Sequence, residues 1–389
     1  MPSEPIFTDL IGVMAVITMI PVFFVWLEKK TQWKIFDILP AIIWIFLAPI
    51  FLSNLNVIPR SSEIYATFRS FAVPMFIVIM LLDVNIREVI KVAWRGAGVM
   101  VLGAFGIVIG AVISFYIFKD GLPENTWRGY GALAGSWIGG TGNLAAVAES
   151  LETPGEMVGM VVLVDNFVYV VYFPIILTCK RWAERFNRFT RVSQKDIDHV
   201  FEATADVEKK SREIHFKDIL TLVGFAFTAM LIANALADFL PEVEPVLTEG
   251  TWAILLVTTI GIALSGTGLR KVPGTMPVAM TLTYIYMTMM GAQADLTKIG
   301  GAQFFLIAGF VCIAVHFVFI VLGARLFRID VSMAAVASVS AVGGAASAPV
   351  AAAVHREDLV PVSIMLALIG YGLGNYLGVL TAYLCHLML

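Results

Sequence analysis

The chain has little charge and no long polar stretch. Of its 389 residues 14% are charged and 59% hydrophobic, and the net charge is -3. That balance excludes a soluble globular protein, and no basic stripe offers a footprint for nucleic acid. Cysteine is scarce: Cys179, Cys312 and Cys385 lie in or at the ends of apolar runs, without pairing or metal-ligand spacing, and read as small buried hydrophobes. No basic segment precedes the first apolar run and no small-residue cleavage pattern follows it, so an uncleaved first span is expected rather than a signal peptide. His-Glu-x-x-His, Gly-x-Gly-Asp and Ser/His pairings are missing, and His316 and His386 lack partners at useful spacing. These absences argue against an intramembrane enzyme, and no cofactor is expected beyond a coupling proton or sodium ion.

What is present is a series of apolar runs of about 20 residues, each long enough to cross about 30 Å of hydrocarbon as a helix. Hydropathy predicts an all-α polytopic membrane protein with spans near 6–27, 36–52, 64–82, 94–118, 128–150, 157–179, 218–240, 251–269, 275–294, 304–326, 331–354 and 359–388. The division is 1–179 as an N-terminal membrane repeat, 180–217 as a charged linker and 218–389 as a C-terminal membrane repeat. The linker opens with Lys180, Arg181, Arg185, Arg188, Arg191 and Lys195 against one acid, Glu184, the pattern of a cytoplasmic loop. Its stretch from Asp196 to Glu213 is mixed in charge and reads as a solvated helix. Going forward, Arg270, Lys271, Arg325 and Arg328 fall inside, and so does the C-terminus. Going backward, the basic clusters Lys29, Lys30, Lys34 and Arg87, Lys91, Arg95 also ask to be inside, which twelve full crossings do not allow.

The halves resemble one another in order. Val84 to Ile90 after the third span matches Ala294 to Gly300 after the ninth, and Ile138 to Asn143 in the fifth matches Val342 to Ser347 in the eleventh. An internal repeat of about six spans is therefore expected.

The fifth and eleventh spans are poor material for continuous helix. Gly139, Gly140, Thr141, Gly142 and Asn143 interrupt one; Ser338, Ser340, Gly343, Gly344, Ser347 and Pro349 interrupt the other. Unwound backbone at membrane depth is tolerated only where it is buried in protein or lines a cavity, and paired interruptions in two halves point to a transporter site. Close packing of small residues is the other reading, and Gly370, Gly374 and Gly378 in the last span fit it better. The sixth span carries Asp165 and Asn166. An ionisable residue inside a membrane span costs at least about 2.5 kcal/mol, and no Lys or Arg stands in the middle of a span to pair with Asp165. Asp165 must then be protonated, reached by water or bound to a cation such as sodium, with Asn166 a candidate carbonyl ligand. Ser136, Glu149 and Gln293 are further candidates, while His316 reads as a packing residue.

These segments resemble the cation:proton antiporter and bile-acid symporter superfamily, where a crossed pair of broken helices meets near the midplane and the next helix carries an acidic or Asn-Asp pair. More closely, Gly135 to Glu149, Ala292 to Leu296, Gly343-Gly344 and Gly370 to Gly374 resemble the YjcL-like family of uncharacterised membrane proteins. The resemblance implies two repeats with two discontinuous crossing helices, a core of spans three to six and nine to twelve, a homodimer, and a plasma or inner membrane location of bacterial type. It also puts Asp165 where the superfamily's ion-carrying acid sits. The function so implied is proton- or sodium-coupled symport of a small organic solute by alternating access. A cation/proton antiporter is the first alternative and a passive channel the second.

Overall fold

The computed structural model describes residues 5–33, 35–36, 41–84, 86–123, 125–193, 213–294 and 302–389. Residues 194–212, which hold all but the last residue of the mixed-charge stretch Asp196 to Glu213, and Asp295 to Gly300 of the repeat comparison lie outside the described residues. The described chain is helical. The first half holds α1 (Leu10–Thr31), α2 (Ala41–Asn54), α3 (Glu63–Leu81), α4 (Ile86–Phe118), α5 (Thr126–Gly139), α6 (Thr141–Ser150) and α7 (Gly155–Thr178). After it comes α8 (Ala183–Thr190), and then α9 (Phe216–Ala237), α10 (Glu249–Ser265), α11 (Thr275–Gln293), α12 (Ala302–Phe327), α13 (Val331–Val342), α14 (Gly344–His355) and α15 (Val360–His386). The described residues of every apolar window are largely helical, and the fifth and eleventh each hold two helices.

Polar residues just before the apolar runs fix several starts. Asp9 accepts from Gly12 N, Ser62 from Ile64 N, Thr248 from Thr251 N, and Asp330 from Ser332 N and Met333 N. Each satisfies an amide that the helix itself leaves unpaired. Among the described residues, seven helices are long and apolar enough to cross a membrane: α1, α3, α4, α7, α9, α12 and α15. α11 is not one of them, because Thr275, Thr281, Thr283, Thr288, Tyr284 and Tyr286 dilute its hydropathy. Thr281, Thr283 and Thr288 return their hydroxyls to carbonyls four residues back, so the helix satisfies them itself. Outer faces stay apolar and uncovered, as at Ile11 on α1 and Leu231 on α9.

Packing sorts the helices into two groups. α4 lies along α12, and with α5, α7, α13 and α15 they form one body. α1, α2 and α3 pack with α9, α10 and α11 as the other. The third and ninth spans thus join the group expected to be scaffold rather than the core, since α3 and α11 bury their apolar sides on each other and on α2 and α10.

The two broken segments do not continue across the molecule. At Gly140 the backbone adopts φ 80° and ψ -173°, a conformation open essentially to glycine, and the chain turns back. Arg128 in the first turn of α5 donates from Nη1 to the carbonyls of Leu151 (2.7 Å) and Glu152 (2.9 Å), just beyond α6. Between these ends the arms are in contact: a β-carbon on Gly131 would stand 2.8 Å from Leu151 Cδ1, and one on Gly135 would stand 3.0 Å from Val147 Cγ2. α5 and α6 are therefore an antiparallel hairpin closed at Gly140. α13 and α14 turn at Gly343 and Gly344, the latter at φ 58°. Asp330 before α13 and Arg356 after α14 approach to 3.9 Å. Both ends also touch the same segment after α7, for Asn187 Oδ1 accepts from Val331 N and Lys180 Nζ donates to His355 O. Where the sequence predicts broken helices that cross, each segment returns to the side it came from.

Candidate functional site

The two hairpin tips meet. A β-carbon on Gly344 would lie 3.7 Å from Gly140 Cα, and Tyr371 of α15 packs against both glycines. Beside the tips is a cavity of about 460 Å³. Its inner wall comprises Ser136, Gly140, Thr141 and Gly142 of the first hairpin, Gly343 to Ser347 of the second, and Asp165, Asn166 and Tyr169 of α7. Its other walls come from helix ends: Glu28 closing α1, Ala41 opening α2, Met80 closing α3, and Met276 and Met280 opening α11. All of these ends lie on one side of the molecule, the side of the linker after α7. Glu28 also anchors that side, its Oε1 accepting from Ala41 N at 3.1 Å.

Asp165 is half-buried and held by α5 alone. Its Oδ2 accepts from Ser136 Oγ at 2.8 Å and its Oδ1 from Trp137 Nε1 at 2.6 Å. Two neighbouring residues near the end of one hairpin arm thus orient both carboxylate oxygens, leaving their remaining lone pairs for a proton or a cation. Asn166 turns one amide hydrogen back on its own helix, Nδ2 donating to Val162 O at 2.7 Å, while the residue still borders the cavity. Tyr169, one turn on, places its hydroxyl against Gly343, beside Ser347.

α6 and α14 begin at the tips, at Thr141 and Gly344, and neither has a side-chain cap. Their first amides and the positive ends of their dipoles face the cavity region. The site thus combines two carboxylates, Asp165 and Glu28, with two uncapped helix starts and several hydroxyls, and no Lys or Arg among the described residues lines it.

Of the residues predicted from sequence, Ser136, Gly140, Thr141, Asp165, Asn166, Gly343, Gly344 and Ser347 converge on this cavity. Gly139, Asn143, Ser340, Glu149 and Gln293 do not line it. Gly139 gives close approach, since a β-carbon there would stand 2.6 Å from Gly370 O. Asn143 is fully buried and ties the first hairpin to α15, donating to Tyr371 O (2.9 Å) and Asn375 Oδ1 (2.8 Å), and Asn375 passes the chain to Thr258. Ser340 donates to Ser363 O, and Gln293 donates to Met289 O within its own helix. Glu149 is on the side away from the cavity mouth, 3.1 Å from Arg69 Nε, and accepts from Tyr286. Sequence reasoning missed Glu28, Tyr169 and the Arg69 partner; only Arg69, six residues inside the third span, left a visible sign.

His316 is a satisfied buried residue. Nδ1 lies 2.8 Å from Gly103 O, which only accepts, so Nδ1 carries the hydrogen. For the neutral ring Nε2 then accepts from Ser338 Oγ at 2.9 Å, and Ser338 in turn accepts from Tyr172. This chain locks α7, α12 and α13 together.

Helix hairpins meeting beside a cavity that holds an oriented carboxylate, in a chain with several apolar spanning helices, define a polytopic membrane protein of a kind consistent with a transporter. Over residues 15–388 the chain matches the family described as "Protein of unknown function (DUF819)", and it belongs to that family. It is 28% identical over 362 residues to the "Uncharacterized membrane protein YjcL" of Bacillus subtilis, covering 90% of this chain and 91% of that protein.

Proposed function

We propose that the protein is a secondary active transporter, a proton- or sodium-coupled symporter of a small organic solute working by alternating access, with Asp165 as the coupling site. The observation that carries this reading is the position of Asp165: a carboxylate oriented by Ser136 and Trp137, at a cavity where the tips of two hairpins meet. A group so placed exchanges a proton or sodium for solvent only when the cavity is open, which ties ion binding to conformation. The uncapped starts of α6 and α14 favour an anionic group on the solute.

The hairpins also support an inverted repeat. If each half contributes five crossing helices and one re-entrant hairpin, the second half enters the membrane with the opposite sense. Lys29 and Lys30, Arg87 and Arg95, the linker, Arg270 and Lys271, Arg325 and Arg328, and Arg356 then share one side, as the positive-inside rule requires. The conflict met with twelve full crossings disappears. The end of α15 moves to the outer side, opposite to the sequence expectation, because α13 and α14 return instead of crossing. In this frame the linker is cytoplasmic, the membrane is the plasma or inner membrane, and the cavity opens inward. The outer side is sealed by Arg69–Glu149 and by Thr251 donating to Ser150 O at 2.8 Å. A homodimer through the exposed apolar faces of the α1–α3 and α9–α11 group fits the same frame.

Cation/proton antiport is the second reading, favoured by the two acids, Asp165 and Glu28, on a cavity without a basic side chain among the described residues. Solid-supported-membrane currents from proteoliposomes separate the two. With carboxylates, amino acids and nucleosides as the panel, symport predicts a current that needs one solute together with a proton or sodium gradient. Antiport predicts ion-driven current without any solute, and a steady ohmic conductance contradicts both.

A further inference from the structure

A second cavity, of about 270 Å³, lies on the far side of the molecule from the first. It sits where α4 ends, α5 begins and α15 ends, lined among others by Lys119, Asn125, Thr126, Trp127, Arg128 and His386. No acidic side chain of the described residues lines it. Lys119 Nζ donates to Met388 O at 2.7 Å and stands 6.0 Å from the Tyr116 ring centroid, and an ammonium group with three hydrogens has donors left for a ligand. Arg128 Nε and His386 Nδ1 are buried and make no hydrogen bond. Both side chains pack on Trp127: the Arg128 guanidinium carbon is 5.0 Å from its ring centroid and the His386 ring 4.9 Å.

Partly buried cations with no acidic side chain beside them are costly, and a fold retains them where something else supplies that charge. The ends of the membrane helices α4 and α15, the start of the hairpin arm α5 and a tryptophan put the pocket at headgroup level, where basic pockets between helices take anionic lipid headgroups. We propose that this pocket binds a phosphate group, gripped by Lys119 and Arg128 with His386 alongside and Trp127 as its apolar wall. Arg128 is also the residue that closes the mouth of the first hairpin on Leu151 and Glu152, so an occupant would brace that hairpin. The phosphate comes either from a lipid headgroup or from free phosphate.

Native mass spectrometry of the purified full-length protein tests this independently of transport. The probes are phosphatidylglycerol, digalactosyldiacylglycerol as a phosphate-free lipid, and inorganic phosphate. Phosphatidylglycerol is expected to bind about tenfold more tightly than the glycolipid, and Lys119→Gln and His386→Gln, both off the hairpin, should each erase most of that preference. Displacement of the lipid by millimolar inorganic phosphate identifies free phosphate as a source; its failure to compete identifies the headgroup. Equal binding of the two lipids by the wild-type protein with no response to phosphate overturns the proposal, a result that needs no variant to fold. Unchanged preference in both variants overturns it as well.

Discussion

Arg69 Nε stands 3.1 Å from Glu149 Oε1, joining α3 to the returning arm of the first hairpin on the side opposite the cavity mouth. The two side chains come from the two packing groups that alternating access would move apart. Half-exposed pairs of this kind are worth about 1 kcal/mol or less, which is enough to change a two-state population by up to about fivefold.

Glu149→Gln is therefore expected to populate the outward-open state more. A cysteine placed at Thr141 reports it: labelling by a membrane-impermeant maleimide from the outer side should rise by up to about fivefold over the same reporter with Glu149 intact. No change, or a fall, would mean that the pair does not act as a closure.

Gly140 is where the first hairpin turns, and its φ of 80° with ψ near 180° is a region that side chains rarely enter. Gly140→Ala should cost on the order of 1–3 kcal/mol through strain, lowering the melting temperature in detergent. Gly372→Ala is the contrast. It is helical, and its β-carbon would meet only the flexible Ile262 side chain at 3.3 Å, so a much smaller change is expected.

Asn375 accepts from Asn143 and donates to Thr258, all three fully buried. Asn375→Ala leaves both partners short of a bond and should destabilise by about 1–3 kcal/mol, read as a lower melting temperature. An unchanged melting curve would show that the network does not hold the hairpin to α15.

The spans were legible because hydropathy depends on composition alone, and the described residues of each apolar window are largely helical. The hairpins were not. A run such as 128–150 has the same composition whether it crosses or returns, and the deciding contact is Arg128 with the backbone carbonyl of Leu151, which carries no sequence signature. Asp165, Thr141 and the glycines at the tips were legible because polar or flexible residues stand out in an apolar run. Asn143 and Ser340 stood out equally, yet they staple helices together, and only packing distinguishes a buried staple from a cavity wall. Glu28 and Tyr169 reach the cavity from helix positions that look ordinary in sequence.

Asp83 lies between α3 and α4, where burial pushes its carboxyl above the ordinary range and a 2.5 Å hydrogen bond from Thr275 Oγ1 pulls it partly back. The folded protein then holds this proton more tightly than the unfolded chain, so the contribution to stability falls as pH rises from the ordinary carboxylate value through the raised one, and is flat above it. Asp83→Asn should flatten that part of the profile in thermal melts taken between pH 4 and 8. An identical slope in the variant would show that Asp83 does not titrate there.

The most direct test of coupling at Asp165 compares two readouts in one set of proteoliposomes, using the solute found in the current assay. Asp165→Asn keeps the size of the side chain and removes the exchangeable charge. The account predicts that the variant loses solute accumulation driven by a proton or sodium gradient while retaining solute counterflow. Accumulation at the wild-type level in Asp165→Asn would contradict it.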